Sequence, residues 1–149
     1  MMIPRISFAL LLALSCGTPA EPRREVDDSP VVFSRQFAGG LTQTITLSSG
    51  EVRPGGVLKI RSVLENTTPQ SIDVVSHICG LAVWTAMPLE TDQRVRCAGY
   101  STGGAMQPGE RRDESEWLVV GDGDGRYSIA VRHALSPELW MVVDVVVRR

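Results

Sequence analysis

Leu41-Thr42-Gln43-Thr44-Ile45-Thr46-Leu47 decides the fold. Leu41, Ile45 and Leu47 share a face with Gln43, and Thr42, Thr44 and Thr46 take the other. Strand side chains alternate between two faces, so this pattern marks a half-buried strand. The alternation recurs on both sides of it. Leu58, Ile60 and Leu64 alternate with Lys59, Arg61 and Glu65, and Ile72, Val74 and Ile78 continue the pattern. Leu81, Val83 and Met87 follow Gly80, and Val95 and Cys97 form a short run. Trp117 and Val119 belong to another strand; Tyr127, Ile129 and Val131 share a face; Met141, Val143, Val145 and Val147 close the chain. Turn residues separate these runs at Arg53-Pro54-Gly55-Gly56, Asn66-Thr67-Thr68-Pro69-Gln70, Gln107-Pro108-Gly109-Glu110 and Gly121-Asp122-Gly123-Asp124-Gly125. Proline fixes φ there and glycine supplies positive φ. Seven or eight strands, spaced about 8–12 residues apart, predict an all-β, antiparallel β-sandwich. No segment carries an amphipathic helix of ordinary length; Ser136-Pro137-Glu138-Leu139 suits a single helical turn.

The chain has 149 residues, which suits one domain. Its 15 Lys and Arg oppose 17 Asp and Glu, giving a net charge of −2. That balance offers no basic face, so nucleic acid is not an expected partner. With 43% hydrophobic and 21% charged residues, global disorder is excluded.

The N-terminus reads as an address. Met1 to Arg5 is a short basic start, and Ile6 to Leu14 is an apolar run of nine residues. A membrane span needs about 20, so the run fits a secretory signal instead. Residues 1–15 are read as a signal peptide. Ala13-Leu14-Ser15-Cys16-Gly17 resembles the lipobox of bacterial lipoproteins, which implies that Cys16 is acylated (palmitate among its chains) and becomes the mature N-terminus. Ala13 and Leu14 depart from the usual residues, and the alternative is an ordinary signal-peptidase cut at the same bond. Several acyl chains would anchor the protein stably. Gly17 in place of Asp implies the outer membrane, facing the periplasm. Residues 16–30 are rich in Pro and charge and read as a lipidated tether; fully stretched, the 14 residues after Cys16 reach about 45 Å. Residues 31–149 are the domain.

Three blocks of that domain carry a second resemblance: Leu58-Lys59-Ile60-Arg61 through Asn66-Thr67-Thr68 to Ile72, the Pro108-Gly109-Glu110 turn before Trp117, and Gly125-Arg126-Tyr127-Ser128-Ile129. Together they look like immunoglobulin-like envelope domains, and most like BsuPI-type proteinase-inhibitor domains, over residues 41–149. The resemblance implies an immunoglobulin-like β-sandwich, and its motifs speak to fold more than to function. Tyr127, after a glycine turn at the start of a late strand, is similar to a tyrosine corner. The alternative is a plain inward aromatic.

With Cys16 assigned to lipid, Cys79 and Cys97 remain, an even pair in an exported chain. A disulfide is expected, enclosing 17 residues. The competing reading is a soft metal site. His77 and Cys79 would share a strand face, and Cys97 and Met87 could complete a copper or zinc set. Structural zinc wants four firm ligands, so metal ranks well below the disulfide, and no cofactor is expected.

No catalytic residues are assigned, and the chain is read as not an enzyme. His77 and His133 are its only histidines. Asp73 or Asp144 could be written in as a triad partner, yet no G-x-S-x-G elbow occurs. An EF-hand loop from Asp122 fails, since Arg126 and His133 hold its fifth and twelfth places; a solvated hairpin turn accounts better for residues 121–125. Asn66-Thr67-Thr68 matches a glycosylation sequon but reads as a turn. The run 110–116 reads as a solvent-facing strand and its lead-in. Trp84, Trp117 and Trp140 read as core. Candidate binding loops are Tyr100-Ser101-Thr102-Gly103-Gly104 and residues 88–93, forming with Trp84 one tip of the sandwich. The expected function is a non-catalytic, lipid-anchored envelope protein with a binding or structural role. Its partners are the membrane, through the lipid, and an unidentified protein. The alternatives are a BsuPI-like proteinase inhibitor, with a protruding loop between Cys79 and Cys97, and a copper- or zinc-binding envelope protein.

Overall fold

The computed structural model describes residues 29–77, 80–90, 101–135 and 139–149. Among them the chain is all-β, with ten strands: β1 (Val31–Gln36), β2 (Leu41–Leu47), β3 (Glu51–Val52), β4 (Val57–Asn66), β5 (Ile72–His77), β6 (Ala82–Thr85), β7 (Ser101–Met106), β8 (Arg111–Val119), β9 (Gly125–Arg132) and β10 (Trp140–Val147). Two four-stranded sheets, ordered β1-β2-β4-β8 and β3-β10-β9-β6, make the sandwich, and β5 and β7 form a separate ribbon.

The inward faces follow from the alternation. Ile45, Leu47, Leu58, Ile60 and Leu118 of one sheet meet Val52, Ile129, Val131, Met141, Val143, Val145 and Val147 of the other in a single buried cluster. A second cluster joins Leu41 and Leu64 to Val74 and Met106 of the ribbon. Gln43 and Ser62 are buried at the inner-face positions between the two clusters, with Gln43 Nε2 donating to Ser62 Oγ at 3.0 Å.

The strands number ten among the described residues, against an expected seven or eight in the chain, and the expected run at Val95 and Cys97 lies outside the described residues. β1 opens the domain at Val31 but buries little, so its alternation is faint: Val32 is exposed and Phe33 alone of this strand packs on the core. β3 is too short for periodicity to register. It forms because the chain leaves the first sheet after β2 and pairs in parallel with β10, Glu51 opposite Val146 and Val52 opposite Val147. This is one parallel pair among otherwise antiparallel ladders. β7 replaces an expected loop. Its Ser-Thr-Gly-Gly start has no apolar periodicity, and its ladder to β5, from Ile72 opposite Met106 to His77 opposite Ser101, defines it.

The turns behave as their chemistry requires. Gly56 N–H donates to the Arg53 carbonyl at 2.9 Å, with Gly55 at φ 76°. Asn66 is fully buried: its Nδ2 donates to the Gln70 and Met106 carbonyls at 2.7 and 2.9 Å, and its Oδ1 accepts from the Thr68 N–H and hydroxyl. Asn66 thus ties the ribbon to the sandwich, and its amide is committed to that role. Residues 121–125 do not close a hairpin, because β8 and β9 lie in different sheets. They cross between the layers, with Gly121 and Gly123 buried and Asp122 and Asp124 exposed. At the end of that crossing Tyr127 OH donates to the Asp124 carbonyl at 3.4 Å, the bond of a tyrosine corner.

Candidate functional site

The outer face of the β3-β10-β9-β6 sheet is built by strand parity. In β10, Met141, Val143, Val145 and Val147 point inward, so Trp140, Val142 and Asp144 point outward. Arg126, Ser128, Ala130 and Arg132 of β9 lie on that same outer side. In β6, Val83 packs against the core and Trp84 is turned away from it. Register then sets the rows. Trp84, Ala130 and Val142 lie abreast across three strands, and Ala82, Arg132 and Trp140 form the next row. Trp84 is 69% exposed, Val142 63% and Trp140 39%. The Arg132 guanidinium sits 4.8 Å from the Trp140 ring centroid, a cation–π contact. Beyond Val142, Ser128 Oγ donates to Asp144 Oδ1 at 2.8 Å. Aromatic, apolar and charged groups therefore share one sheet face.

The three tryptophans are thus not core, contrary to expectation. Each neighbours an inward residue in its strand (Val83, Leu118, Met141), which leaves the indole outside. Trp117, 62% exposed, stands on the opposite sheet, where it lines a hollow of about 200 Å³ with Lys59, Ser115 and Glu116.

The expected binding tip is not assembled as expected. Trp84 lies on a strand, Ser101 and Thr102 open β7, and Tyr100 lies outside the described residues. Residues 88–90 are pinned to the sandwich. Gly121 N–H donates to the Pro88 carbonyl at 2.8 Å, Glu90 N–H to the Val119 carbonyl at 3.0 Å, and Leu89 bridges Val120. Cys16, Cys79 and Cys97 lie outside the described residues, and with them the lipidation and disulfide assignments. His77 ends β5, and Met87 is buried in the core cluster. Among the described residues, no three of His, Cys, Asp and Glu are placed to hold a metal ion.

His133 is fully buried and is not joined to either expected triad partner. Its Nδ1 accepts the Leu135 N–H at 3.2 Å, and its Nε2 lies 3.3 Å from the Arg112 carbonyl. Glu114 Oε2, which accepts the Ala134 N–H at 2.9 Å, is 3.5 Å from Nδ1. Burial pushes the imidazole below its ordinary pKa, outweighing the raising effects of Glu114, the Arg112 carbonyl and Asp113. Asp144 serves the outer face instead.

The outward platform was missed by sequence reasoning, although a signal existed. Trp140-Met141-Val142-Val143 is apolar at four consecutive positions, so whichever parity faces the core, apolar groups remain outside.

Compared with known proteins, the chain matches no family and no curated protein. Among solved structures it is similar to a β-glucosidase from Listeria innocua in complex with glucose, at 16% identity and a TM-score of 0.45, covering 78% of this chain and 16% of that one. The same enzyme in complex with gluconolactone gives 16% identity and a TM-score of 0.41, covering 80% and 16%. The alkylpurine DNA glycosylase AlkC from Pseudomonas fluorescens, bound to DNA containing an abasic site analog, gives 14% identity and a TM-score of 0.40, covering 69% and 29%. The chain therefore spans about a sixth of the β-glucosidase's length.

Proposed function

We propose that this protein is a non-catalytic binding module of a bacterial cell envelope, held at the membrane by lipid on Cys16. The observation that carries the binding role is the exposed pair Trp84 and Trp140 with Val142 on one sheet face. A sandwich with ample inward apolar residues gains nothing from indoles in water, and exposed apolar patches mark interaction sites. The anchor is supported by the sequence: an apolar run of nine residues, a small residue at Ser15, then Cys16. Residues 17–30 would stand the sandwich off the bilayer.

Fractionation tests the anchor. Wild-type protein should pellet with membranes and enter the detergent phase. Cys16→Ala retains Ala13 and Ser15 for an ordinary signal-peptidase cut, so it should appear in the soluble fraction. Equal partitioning of the two proteins would remove the lipid anchor from the proposal.

A further inference from the structure

We infer that the outer face of the β3-β10-β9-β6 sheet binds an extended, carboxylate-bearing glycan, with Trp84 and Trp140 as stacking platforms. Glycan recognition deepens the binding role proposed above and rests on it. Trp84 and Trp140 occupy opposite corners of a block three strands (two strand spacings) wide and two residues long. Strand spacing and rise put their Cα atoms about 12 Å apart, room for a few linked sugar rings. A pyranose presents a flat C–H face that packs on an indole and a rim of hydroxyls that needs hydrogen-bond partners. The sheet face offers both in alternation. Trp84, Ala130 and Val142 form one row, and Ser128 and Asp144 the row beside it.

The polar row also selects against other occupants. Asp144 accepts the Ser128 hydroxyl and has lone pairs beyond that bond. Lipid tails or an apolar protein face laid over Val142 would strip water from that carboxylate and return nothing, at a cost in free energy. Sugar hydroxyls would return hydrogen bonds. Charge adds the carboxylate preference. The chain as a whole is −2, yet this face carries Arg126, Arg132 and Arg148 against Asp144 and Glu51, the last of these paired with Arg148. Arg132 is held against Trp140, which places positive charge beside a stacking ring.

The test uses the full chain carrying Cys16→Ala, so that an acyl group cannot contribute, and purified peptidoglycan sacculi as the probe. The protein should co-pellet with sacculi. W84A/W140A should weaken co-pelleting at least tenfold with an unchanged thermal melt, W84F/W140F should restore part of it, and W117A, on the opposite sheet, should leave it intact. Four results would overturn the assignment: no co-pelleting; a double variant that binds normally; flotation with phosphatidylglycerol vesicles in place of sacculus binding; or a self-association by sedimentation that the double variant abolishes. If Cys16→Ala shows the chain anchored while sacculi are ignored, glycan binding fails alone. If the chain is not anchored, the envelope reading fails while the pelleting result still stands on its own.

Discussion

His133 shows what a single buried base does to this fold. The imidazole accepts one hydrogen bond at Nδ1 and reaches the Arg112 carbonyl at Nε2, a pattern that suits the neutral Nε2–H tautomer. Burial holds its folded pKa below the unfolded value of about 6.5. The sign follows. Above about 6.5 both states carry a neutral ring and pH has no leverage. Below it the unfolded chain takes up a proton that the folded chain refuses, so stability falls as pH falls toward the folded pKa. Asp113, held low by Arg61, and Glu110, held low by the Gln107 N–H, also lose stability on acidification, but only below about 4, so the windows separate. Urea unfolding at pH 7.5, 6.5 and 5.5 should show a decline in wild type. His133→Gln should flatten it, at a cost of about 1–3 kcal/mol at pH 7.5 for imperfectly replaced hydrogen bonds. A wild-type midpoint constant over that range would contradict the neutral buried ring. The sequence could list His133 as a histidine, but its burial depends on β8 and the 133–135 segment meeting, a tertiary fact with no local signature.

At the scale of elements, strands with strong inward alternation were legible and those defined by partners were not. β2, β4, β9 and β10 each put apolar residues on alternate positions, and their cores are where alternation places them. β3 and β7 exist because β10 and β5 accept their backbone bonds. The edge strand β8 was legible for another reason. Its charged run keeps the edge of the sheet soluble while its outward Arg111 and Asp113 pair with Glu65 and Arg61 of β4. Glycines divide in the same way between local and tertiary demands. A Cβ on Gly121 would lie 3.1 Å from the Leu89 carbonyl carbon and 3.3 Å from the Glu90 nitrogen, backbone that the crossing itself pins. A Cβ on Gly103, in β7, would meet nothing within 4 Å. Gly121→Ala should therefore destabilise by about 1–3 kcal/mol. Gly103→Ala should be neutral or stabilise by up to about 1 kcal/mol, since it only removes freedom from the unfolded chain. Urea midpoints measured side by side should move in opposite directions or only for Gly121; a larger loss at Gly103 would mean the open side of β7 is covered.

Across the whole molecule, one excursion joins parts that the sheets leave separate. The chain leaves the ribbon at His77, contributes β6 to the far sheet, and returns to the ribbon at Ser101, directly opposite where it left. β6 is four residues long, pairs among the described residues with β9 alone, and carries Trp84 of the outer platform. Cys79 stands two residues after His77 and Cys97 four before Ser101, near the two ends of this excursion. We propose that they are bonded, which would close 17 intervening residues and restrict the unfolded chain by about 3 kcal/mol from loop entropy. Because the ribbon already brings the excursion's ends together in the folded state, little of that gain need be spent on rearrangement. Cys97→Ser, or reductant added to wild type, should lower the melting temperature by about 10 °C. Reductant should then leave Cys97→Ser unchanged. Loosening β6 should also weaken whatever binds Trp84, so the sacculus pelleting of the reduced protein should fall while its remaining strands keep a β-type circular-dichroism spectrum. Identical melts with and without reductant would leave Cys79 and Cys97 as free thiols.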